Sequence, residues 1–168
     1  QMRLWAKQAV ARGSDGAMFF QWRPARAGAE KFHSGMVPHA GRRARGWGET
    51  VALGDELRAL AEVAGTTVDA DVAVLFDWDN WWAFDGVDHP SQLLDLQRIV
   101  LDWYRPLFAA NVAVDFAHPA QDLGGYRLVV APGLHLATTE TLRALATYVE
   151  AGGVLAVGFF SGVGLEPL

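Results

Sequence analysis

The side chains best suited to chemistry lie together near the N-terminus, directly after a short apolar run. Residues 17–22 read Ala-Met-Phe-Phe-Gln-Trp and predict a short buried strand. The next segment is rich in groups that hold polar ligands: Arg23, Arg26, Glu30, Lys31, His33 and Ser34. Enzymes built from alternating strands and helices place substrate-handling side chains just past the carboxyl ends of buried strands. The pattern therefore predicts a site for a polar ligand.

Glu30 and His33 are the two candidates for direct contact with that ligand. They are three positions apart, so one short turn could direct both side chains at the same molecule. A carboxylate that accepts from a ligand hydroxyl makes a charge-assisted hydrogen bond. The alternative is that both are solvated loop residues, and the residue types alone leave that alternative open.

The sequence indicates neither metal nor cysteine chemistry. His33 and His39 have one nearby carboxylate, Glu30, and the other three histidines are scattered, whereas zinc needs three or four convergent ligands. We interpret His89 and His118, each followed by proline, as structural residues. The chain has no cysteine, which excludes disulfides and a thiol nucleophile.

Charge divides the chain into two parts. Residues 1–47 carry nine Lys and Arg against two Asp and Glu, whereas residues 48–168 carry five against seventeen. The basic residues are spread over predicted helix, strand and loop and form no stacking platform with the aromatics, so nucleic acid is not the expected partner. An acidic surface of the same protein is the preferred partner for the basic part.

Length and composition bound the class of protein. The chain has 168 residues, of which 51% are hydrophobic and 20% charged, as in a globular domain or a domain plus a fragment. No apolar run approaches the ~20 residues of a transmembrane helix, and the N-terminus lacks the apolar region of a signal peptide. We expect no membrane partner and a cytoplasmic location.

The elements that would position the polar segment are a helix, a lone strand and a long loop. The helix is predicted over residues 2–12, the strand over 17–22 and the loop over 23–47, where glycines and prolines recur. A single strand cannot be buried by one helix and a loop. Residues 1–47 are therefore expected to be the end of a larger unit.

From residue 48 onward, amphipathic helices alternate with apolar strands. The alternation is typical of a parallel sheet with helices on both faces. It predicts an α/β fold class, a flavodoxin-like doubly wound parallel sheet. The helices are predicted over residues 49–64, 91–110 and 139–151, and the strands over 71–76, 112–116, 127–131 and 154–157.

The turn after Phe76 argues against a nucleotide cofactor. Phosphate cradles need a glycine-rich turn, whereas residues 77–85 read Asp-Trp-Asp-Asn-Trp-Trp-Ala-Phe-Asp. Bulky indoles and three aspartates would block and repel a phosphate, so we expect no flavin, no dinucleotide and no other cofactor. Amidotransfer is excluded as well, because it requires a cysteine.

Trp78, Trp81 and Trp82 in this turn have two interpretations. They could fill the top edge of the sheet and pack on the predicted helix 91–110. They could instead face a sugar or another subunit, because aromatic rings cover sugar faces and anchor interfaces. The sequence leaves both interpretations open.

The chain resembles glycoside hydrolase family 42, the microbial β-galactosidases. Phe-Phe-Gln-Trp-Arg at 19–23, followed by Gly-Ala-Glu-Lys-Phe-His at 28–33, is similar to the end of the eighth barrel strand of that family. Phe-Asp-Trp with a following Trp-Trp pair at 76–82 is similar to a turn of its trimerisation domain. The matches continue through residues 159–162, so the resemblance covers nearly the whole chain.

The resemblance implies an assignment for each part. Residues 1–47 would be the C-terminal fragment of a (β/α)8 catalytic barrel with its exit loop, and residues 48–168 a flavodoxin-like trimerisation domain, truncated at its C-terminus. It implies that Glu30 and His33 bind hydroxyls of a galactose ring. Retaining glycosidases need two carboxylates about 5 Å apart. In the family these glutamates end the fourth and seventh barrel strands, upstream of this chain.

We therefore expect a fragment of a retaining β-galactosidase that acts on terminal β-D-galactosides. It would contribute part of the galactose subsite and the oligomerisation domain of a homotrimer, contain no catalytic residue and be inactive alone. The competing hypothesis is a stand-alone, non-catalytic flavodoxin-like interaction module. A barrel with two glutamates encoded immediately upstream would favour the first hypothesis.

Overall fold

The computed structural model describes residues 1–86, 90–91 and 93–165, which form two compact units. The first unit is Gln1–Val68 and the second is Asp69–Leu168. Predictions for His89 and for residues 166–168 lie outside the described residues. Whereas the charge pattern places a junction at residue 47, the first compact unit continues through the next helix, because that helix packs within this unit.

The first unit contains two α-helices, α1 (Met2–Ala11) and α2 (Arg45–Ala59). Helix α1 confirms the helix predicted over residues 2–12. Helix α2 begins at Arg45 rather than at residue 49, and it ends before a short 3-10 turn, Ala61–Val63. Two further 3-10 turns, Ala29–Phe32 and Gly41–Arg43, interrupt the predicted loop.

An ion-pair cluster joins the two helices of the first unit. Arg3 Nε donates to Glu56 Oε2 at 3.1 Å, and Lys7 Nζ lies 3.0 Å from the same oxygen. The hydrogen bonds from Arg3 and then from Lys7 hold the pKa of the Glu56 carboxyl below its ordinary value. The cluster lies at the surface, where solvent and salt screen its charges. Its contribution to the free energy of unfolding is therefore small, and it mainly aligns the two helices.

Residues 17–22 form no strand, and that prediction is wrong for the chain as described. Their side chains nevertheless alternate: Met18, Phe20 and Trp22 are exposed, whereas the residues between them are half-buried. A strand exists only where neighbouring strands bond its edges. No strand occurs elsewhere in the first unit as the structure describes it. Residues 17–22 therefore have no neighbouring strand with which to form backbone hydrogen bonds.

The second unit is built on a parallel sheet. Among its described residues, six strands follow in chain order: β1 (Val72–Leu75), β2 (Val114–Ala117), β3 (Leu128–Ala131), β4 (Leu136–Ala137), β5 (Val154–Val157) and β6 (Gly164–Leu165). Four of them form one sheet in the order β2-β1-β3-β5, with every neighbouring pair parallel. Strands β4 and β6 form a separate parallel pair. The order, with β2 and β3 on either side of β1, is flavodoxin-like and confirms the predicted fold class.

Helices cover both faces of this sheet. They are α3 (Trp78–Asp85), α4 (Leu96–Ala109) and α5 (Thr139–Glu150). Val74 of β1 shares a buried cluster with Phe84 of α3 and Val100 of α4. The neighbouring Leu75 shares another with Leu145 of α5. Because successive strand residues point to opposite faces, β1 is buried on both sides.

Helix α3 is the main element that the sequence analysis missed. It occupies the segment that was predicted to be a turn. Asp77 caps it by accepting from the backbone N–H of Asn80 at 2.7 Å. Helix α4 likewise begins later than predicted, where the Asp95 side chain accepts from the N–H of Arg98 at 3.1 Å. Within the described parts of the chain, no helix is both long and apolar enough to cross a membrane.

The connection from α5 to β5 depends on close packing between Tyr148 and Gly153. Tyr148 is buried, and its hydroxyl donates to the carbonyl oxygens of Tyr126 at 3.1 Å and Val154 at 3.3 Å. A Cβ atom at residue 153 would lie 2.2 Å from the Tyr148 ring. The ring therefore occupies the space that any side chain at residue 153 would need.

We expect Gly153→Ala to lower the free energy of unfolding by about 1–3 kcal/mol, because the added methyl overpacks a buried ring. Urea denaturation followed by circular dichroism measures the change. Gly125→Ala is the matched control, since a Cβ there meets nothing within 4 Å. Equal stability of the two variants would contradict the packing described for Tyr148.

Candidate functional site

The segment predicted to hold a polar ligand is a loop closed at its base by two backbone hydrogen bonds. The N–H of Met36 donates to the Gln21 carbonyl and the N–H of Val37 to the Trp22 carbonyl, both at 2.8 Å. Val37 is fully buried. Residues 23–35 therefore leave and return at one anchored point, in the manner of a compact Ω-loop.

Gly35 permits the close approach of the two ends. A Cβ at residue 35 would lie 2.5 Å from Pro24 Cδ, 2.9 Å from Pro24 N and 3.1 Å from the carbonyl carbon of Arg23. Two of these are rigid backbone atoms that cannot rotate away. The base of the loop therefore requires a residue without a side chain at this position.

Glu30 and His33 lie one turn apart within this loop. Glu30 belongs to the 3-10 turn Ala29–Phe32, and the N–H of His33 donates to the Glu30 carbonyl at 3.0 Å. Gly28 enters the turn with φ +80°, in the left-handed region that favours glycine. His33 directly follows the turn in an extended conformation, and both side chains are exposed. The two predicted site residues are therefore neighbours along the loop, joined by this backbone hydrogen bond.

Aromatic rings surround the two polar groups. The His33 ring meets the Phe20 ring edge to face, with centroids 6.0 Å apart and an interplanar angle of 83°. The Lys31 ammonium lies 4.9 Å from the centroid of the Phe32 ring. The rings of Phe20, Trp22 and Phe32 are exposed, and of these the Phe20 ring is the one in contact with the His33 imidazole. Such a mixture suits a polyhydroxylated ring, which has apolar faces and a polar edge.

This loop by itself cannot perform two-carboxylate hydrolysis. Glu30 is the sole carboxylate between Asp15 and Glu49 in the sequence. Glycoside hydrolysis requires a second carboxyl group about 5–10 Å away. Among the residues that the structure describes, no three His, Asp or Glu side chains converge as a metal ion would require.

The tryptophans of α3 divide into one packed ring and two exposed ones. Trp81 is half-buried, its ring lies 5.7 Å from that of Phe76, and its Nε1 donates to Asp85 Oδ2 at 3.0 Å. Trp78 and Trp82 are 60% and 65% exposed. The packing interpretation therefore fits Trp81 and part of Trp78, whose ring lies 5.4 Å from that of Phe76, whereas the Trp82 ring faces outward.

Asn80, which the sequence analysis did not single out, fixes the rotation of α3. Its Nδ2 donates to Asp77 Oδ2 at 2.8 Å and to the Leu136 carbonyl at 3.0 Å, while its Oδ1 accepts from the Leu136 N–H at 2.8 Å. Asp77 and Asn80 are both buried. The Asn80 side-chain amide therefore forms hydrogen bonds with both the N–H and the carbonyl of Leu136, a residue of β4. The Asp-x-x-Asn spacing at a helix start was the available sequence signal.

Side chains fill the carboxyl edge of the sheet, where open α/β sheets usually bind ligands. The His135 ring stacks on Phe160 with centroids 4.4 Å apart, and Phe84 meets both rings edge to face. A Cβ at Gly158 would lie 2.2 Å from the Pro132 carbonyl oxygen. Aromatic packing therefore occupies the position in which a related fold would hold a nucleotide.

A cleft of about 1060 Å³ lies at the opposite, amino edge of the sheet, beside Asp71, Tyr126 and Tyr148. The Tyr126 hydroxyl donates to Asp115 Oδ2 at 3.0 Å. Burial, followed by this hydrogen bond, raises the pKa of Tyr126. The two tyrosine hydroxyls already bond within the protein, while Asp71, Gln121 and Arg127 also line the cleft.

Comparison with known proteins gives two family matches. Residues 70–166 match the β-galactosidase trimerisation domain, and residues 1–60 match a second model described as β-galactosidase. The β-galactosidase LacZ of Heyndrickxia coagulans is 46% identical over 166 residues, which are 98% of this chain and 25% of that protein. BgaB of a Geobacillus species is 46% identical over 163 residues, 96% of this chain and 24% of that protein.

The solved structures that this chain resembles are also those of β-galactosidases. The β-galactosidase of Bacillus circulans sp. alkalophilus superposes with a TM-score of 0.93 at 35% identity, over 98% of this chain and 25% of that chain. The cold-adapted enzyme of Rahnella sp. R3 gives 0.90 at 39% identity, over 98% and 24%. The chain therefore spans about a quarter of the length of these relatives.

We expect Gly35→Ala to loosen the base of the loop, because the methyl group collides with Pro24. We expect the free energy of local opening at the loop base to fall by about 1–3 kcal/mol. Amide exchange at Met36 and Val37 should then be roughly ten- to a hundredfold faster. Hydrogen–deuterium exchange followed by NMR measures these rates. Gly16→Ala is the control, since nothing lies within 4 Å of its Cβ. Unchanged rates in Gly35→Ala would mean that the base is not tightly packed.

Proposed function

We propose that this chain, which belongs to the glycoside hydrolase family 42 β-galactosidases, is part of a longer enzyme that hydrolyses terminal β-D-galactosides with retention of configuration. The observation that carries the proposal is the loop in which Glu30 and His33 lie one turn apart beside exposed aromatic rings. The identity to curated β-galactosidases across both units supports it.

Residues 1–47 supply the last strand and exit loop of the catalytic barrel in this proposal. The alternating exposure of residues 17–22 supports it, because the pattern is that of a strand whose neighbours would come from elsewhere in the longer protein. Residues 48–168 supply the trimerisation part, and its own hydrophobic core lies in the second compact unit.

Glu30 and His33 form part of the galactose subsite. The Glu30 carboxylate accepts a hydrogen bond from a ring hydroxyl, and His33 bonds a neighbouring hydroxyl from the same turn. A charge-assisted bond of this kind is typically worth ~1.5–3 kcal/mol. The nucleophile and the acid/base come from carboxylates outside this chain, because Glu30 stands alone in its segment.

The longer enzyme is a homotrimer in this proposal, assembled through the part that matches the trimerisation domain. Its partners are the β-galactoside and further copies of itself, with no nucleic acid and no membrane. The cytoplasmic location stays a prediction.

The alternative, a stand-alone interaction module, draws support from the exposed tryptophans of α3 but leaves the β-galactosidase match of residues 1–60 without a role.

The isolated chain of residues 1–168 should not hydrolyse a chromogenic β-galactoside above background. Both catalytic carboxylates lie outside it, and one carboxyl group cannot supply an acid/base and a nucleophile together. The assay compares the purified chain, from a host lacking β-galactosidase, with the full-length protein. Turnover by the purified chain would refute this division of roles.

In the full-length protein, Glu30→Gln and His33→Ala should each lower kcat/KM by roughly one to two orders of magnitude, because the first removes the charge on a hydrogen-bond acceptor and the second removes a hydrogen bond. Steady-state kinetics measures the change, and the oligomer mass should stay the same. Glu62→Gln is the control, since Glu62 is another exposed glutamate of the first unit. Unchanged kcat/KM in both site variants would show that the loop does not bind substrate.

A further inference from the structure

Helix α3 presents a rigid aromatic face to the outside. Trp78 and Trp82 are four residues apart and therefore lie on one side of the helix, and both are more than half exposed. Tryptophan is the residue most enriched among those that dominate binding at protein interfaces. Two adjacent exposed indoles on one helix face therefore indicate a protein partner.

The surrounding contacts hold this face in place before any partner arrives. The buried bonds of Asn80 to Asp77 and to Leu136 fix the rotation of α3. The Trp78 ring also lies 5.4 Å from that of Phe76. Since the backbone of α3 and the Trp78 ring are already held, binding here loses little backbone freedom and little freedom of Trp78.

Charge identifies the surface that the aromatic face would contact. Residues 69–168 contain four arginines and no lysine, against thirteen Asp and Glu. On α3 itself, the exposed Asp79 and Asp85 accompany the indoles. A second copy of the same acidic face would be repelled, whereas arginine side chains pair with the carboxylates and stack on indole rings. The expected partner surface is therefore rich in arginine.

Trimer symmetry requires such a pairing of unlike surfaces. Three copies close by threefold rotation, so each interface joins two different patches. The densest positive run of the chain is at the turn Gly41–Arg43, where Arg42 and Arg43 are exposed and the Arg42 guanidinium carbon lies 5.5 Å from the Trp47 ring centroid of the same chain. No Asp or Glu occurs from residue 31 to residue 48.

We propose that Trp78 and Trp82 of one copy pack against Arg42 and Arg43 of the next copy around the trimer. The inference rests on the proposed homotrimer and names the surfaces that would build it. The interface would be stabilised by the opposite charges of the two segments and by the stacking of guanidinium planes on indole rings. Such an interface joins chemically different surfaces and excludes a symmetric contact of α3 with itself.

The first experiment measures the mass of the full-length protein by light scattering after size exclusion. Trp78→Ala with Trp82→Ala, and separately Arg42→Glu with Arg43→Glu, should each weaken association at least about tenfold and yield monomers at concentrations where the parent is trimeric. Trp103→Ala is the control, because Trp103 is a partly exposed tryptophan on α4 and should leave the trimer intact. Circular dichroism verifies that each variant is folded.

The second experiment mixes the two defective proteins in equal amounts. The tryptophan variant keeps its arginines and the arginine variant keeps its tryptophans, so one intact interface can form between them. The mixture should contain dimers that neither variant forms alone, and a closed trimer should be absent.

The outcomes separate this inference from the proposal on which it rests. A parent protein that is not trimeric refutes the homotrimer itself. A trimeric parent whose tryptophan or arginine variant remains trimeric overturns the assignment of the two surfaces and leaves the homotrimer standing. Two folded, monomeric variants that give no mixed dimer would also overturn it, because the two faces would then not contact each other.

Discussion

The pair of hydrogen bonds between the Asn80 amide and the main chain of Leu136 is the contact on which the second unit depends most. It decides which way α3 faces. With that rotation fixed, Phe84 points into the core and packs against the rings that fill the carboxyl edge of the sheet. The same rotation turns two indoles outward. An unsatisfied amide in this buried position would cost more than a neutral hydrogen bond contributes, so alternative rotations are strongly disfavoured.

The sheet could be predicted from the sequence because its strands are buried on both faces and read as short apolar runs. Strand β5 has the predicted bounds, and the predicted segments of β1, β2 and β3 contain or overlap the observed strands. Helix α3 was missed because it has only eight residues, although Trp78, Trp81 and Trp82 follow the i, i+3, i+4 spacing of a helix. The contact that holds it comes from Leu136, far along the chain. The two-residue strands β4 and β6 are too short to leave a periodic signal.

In the candidate site, residue types were predictable and geometry was not. Glu30 and His33 stood out because they follow an apolar run, and the structure places Glu30 in a 3-10 turn that His33 directly follows. The strand predicted before them requires neighbours that the described chain does not provide. The backbone bonds that return Met36 and Val37 to Gln21 and Trp22 join positions across the loop, and local sequence carries no record of them. The sequence therefore identifies the residue types of the candidate site, whereas the backbone bonds that close the loop determine where these residues lie.

The self-closed base of the loop has a consequence for how new specificities could arise. Since both ends of residues 23–35 are bonded to each other, their spacing does not depend on what lies between them. Insertions of a few residues at the tip would add little to the entropy of closing the loop. The segment can therefore be treated as a cassette, exchangeable between homologues while the supporting framework stays the same. Directed libraries confined to residues 25–34, which leave Pro24 and Gly35 unchanged, would vary the exposed surface of the loop without disturbing its closed base.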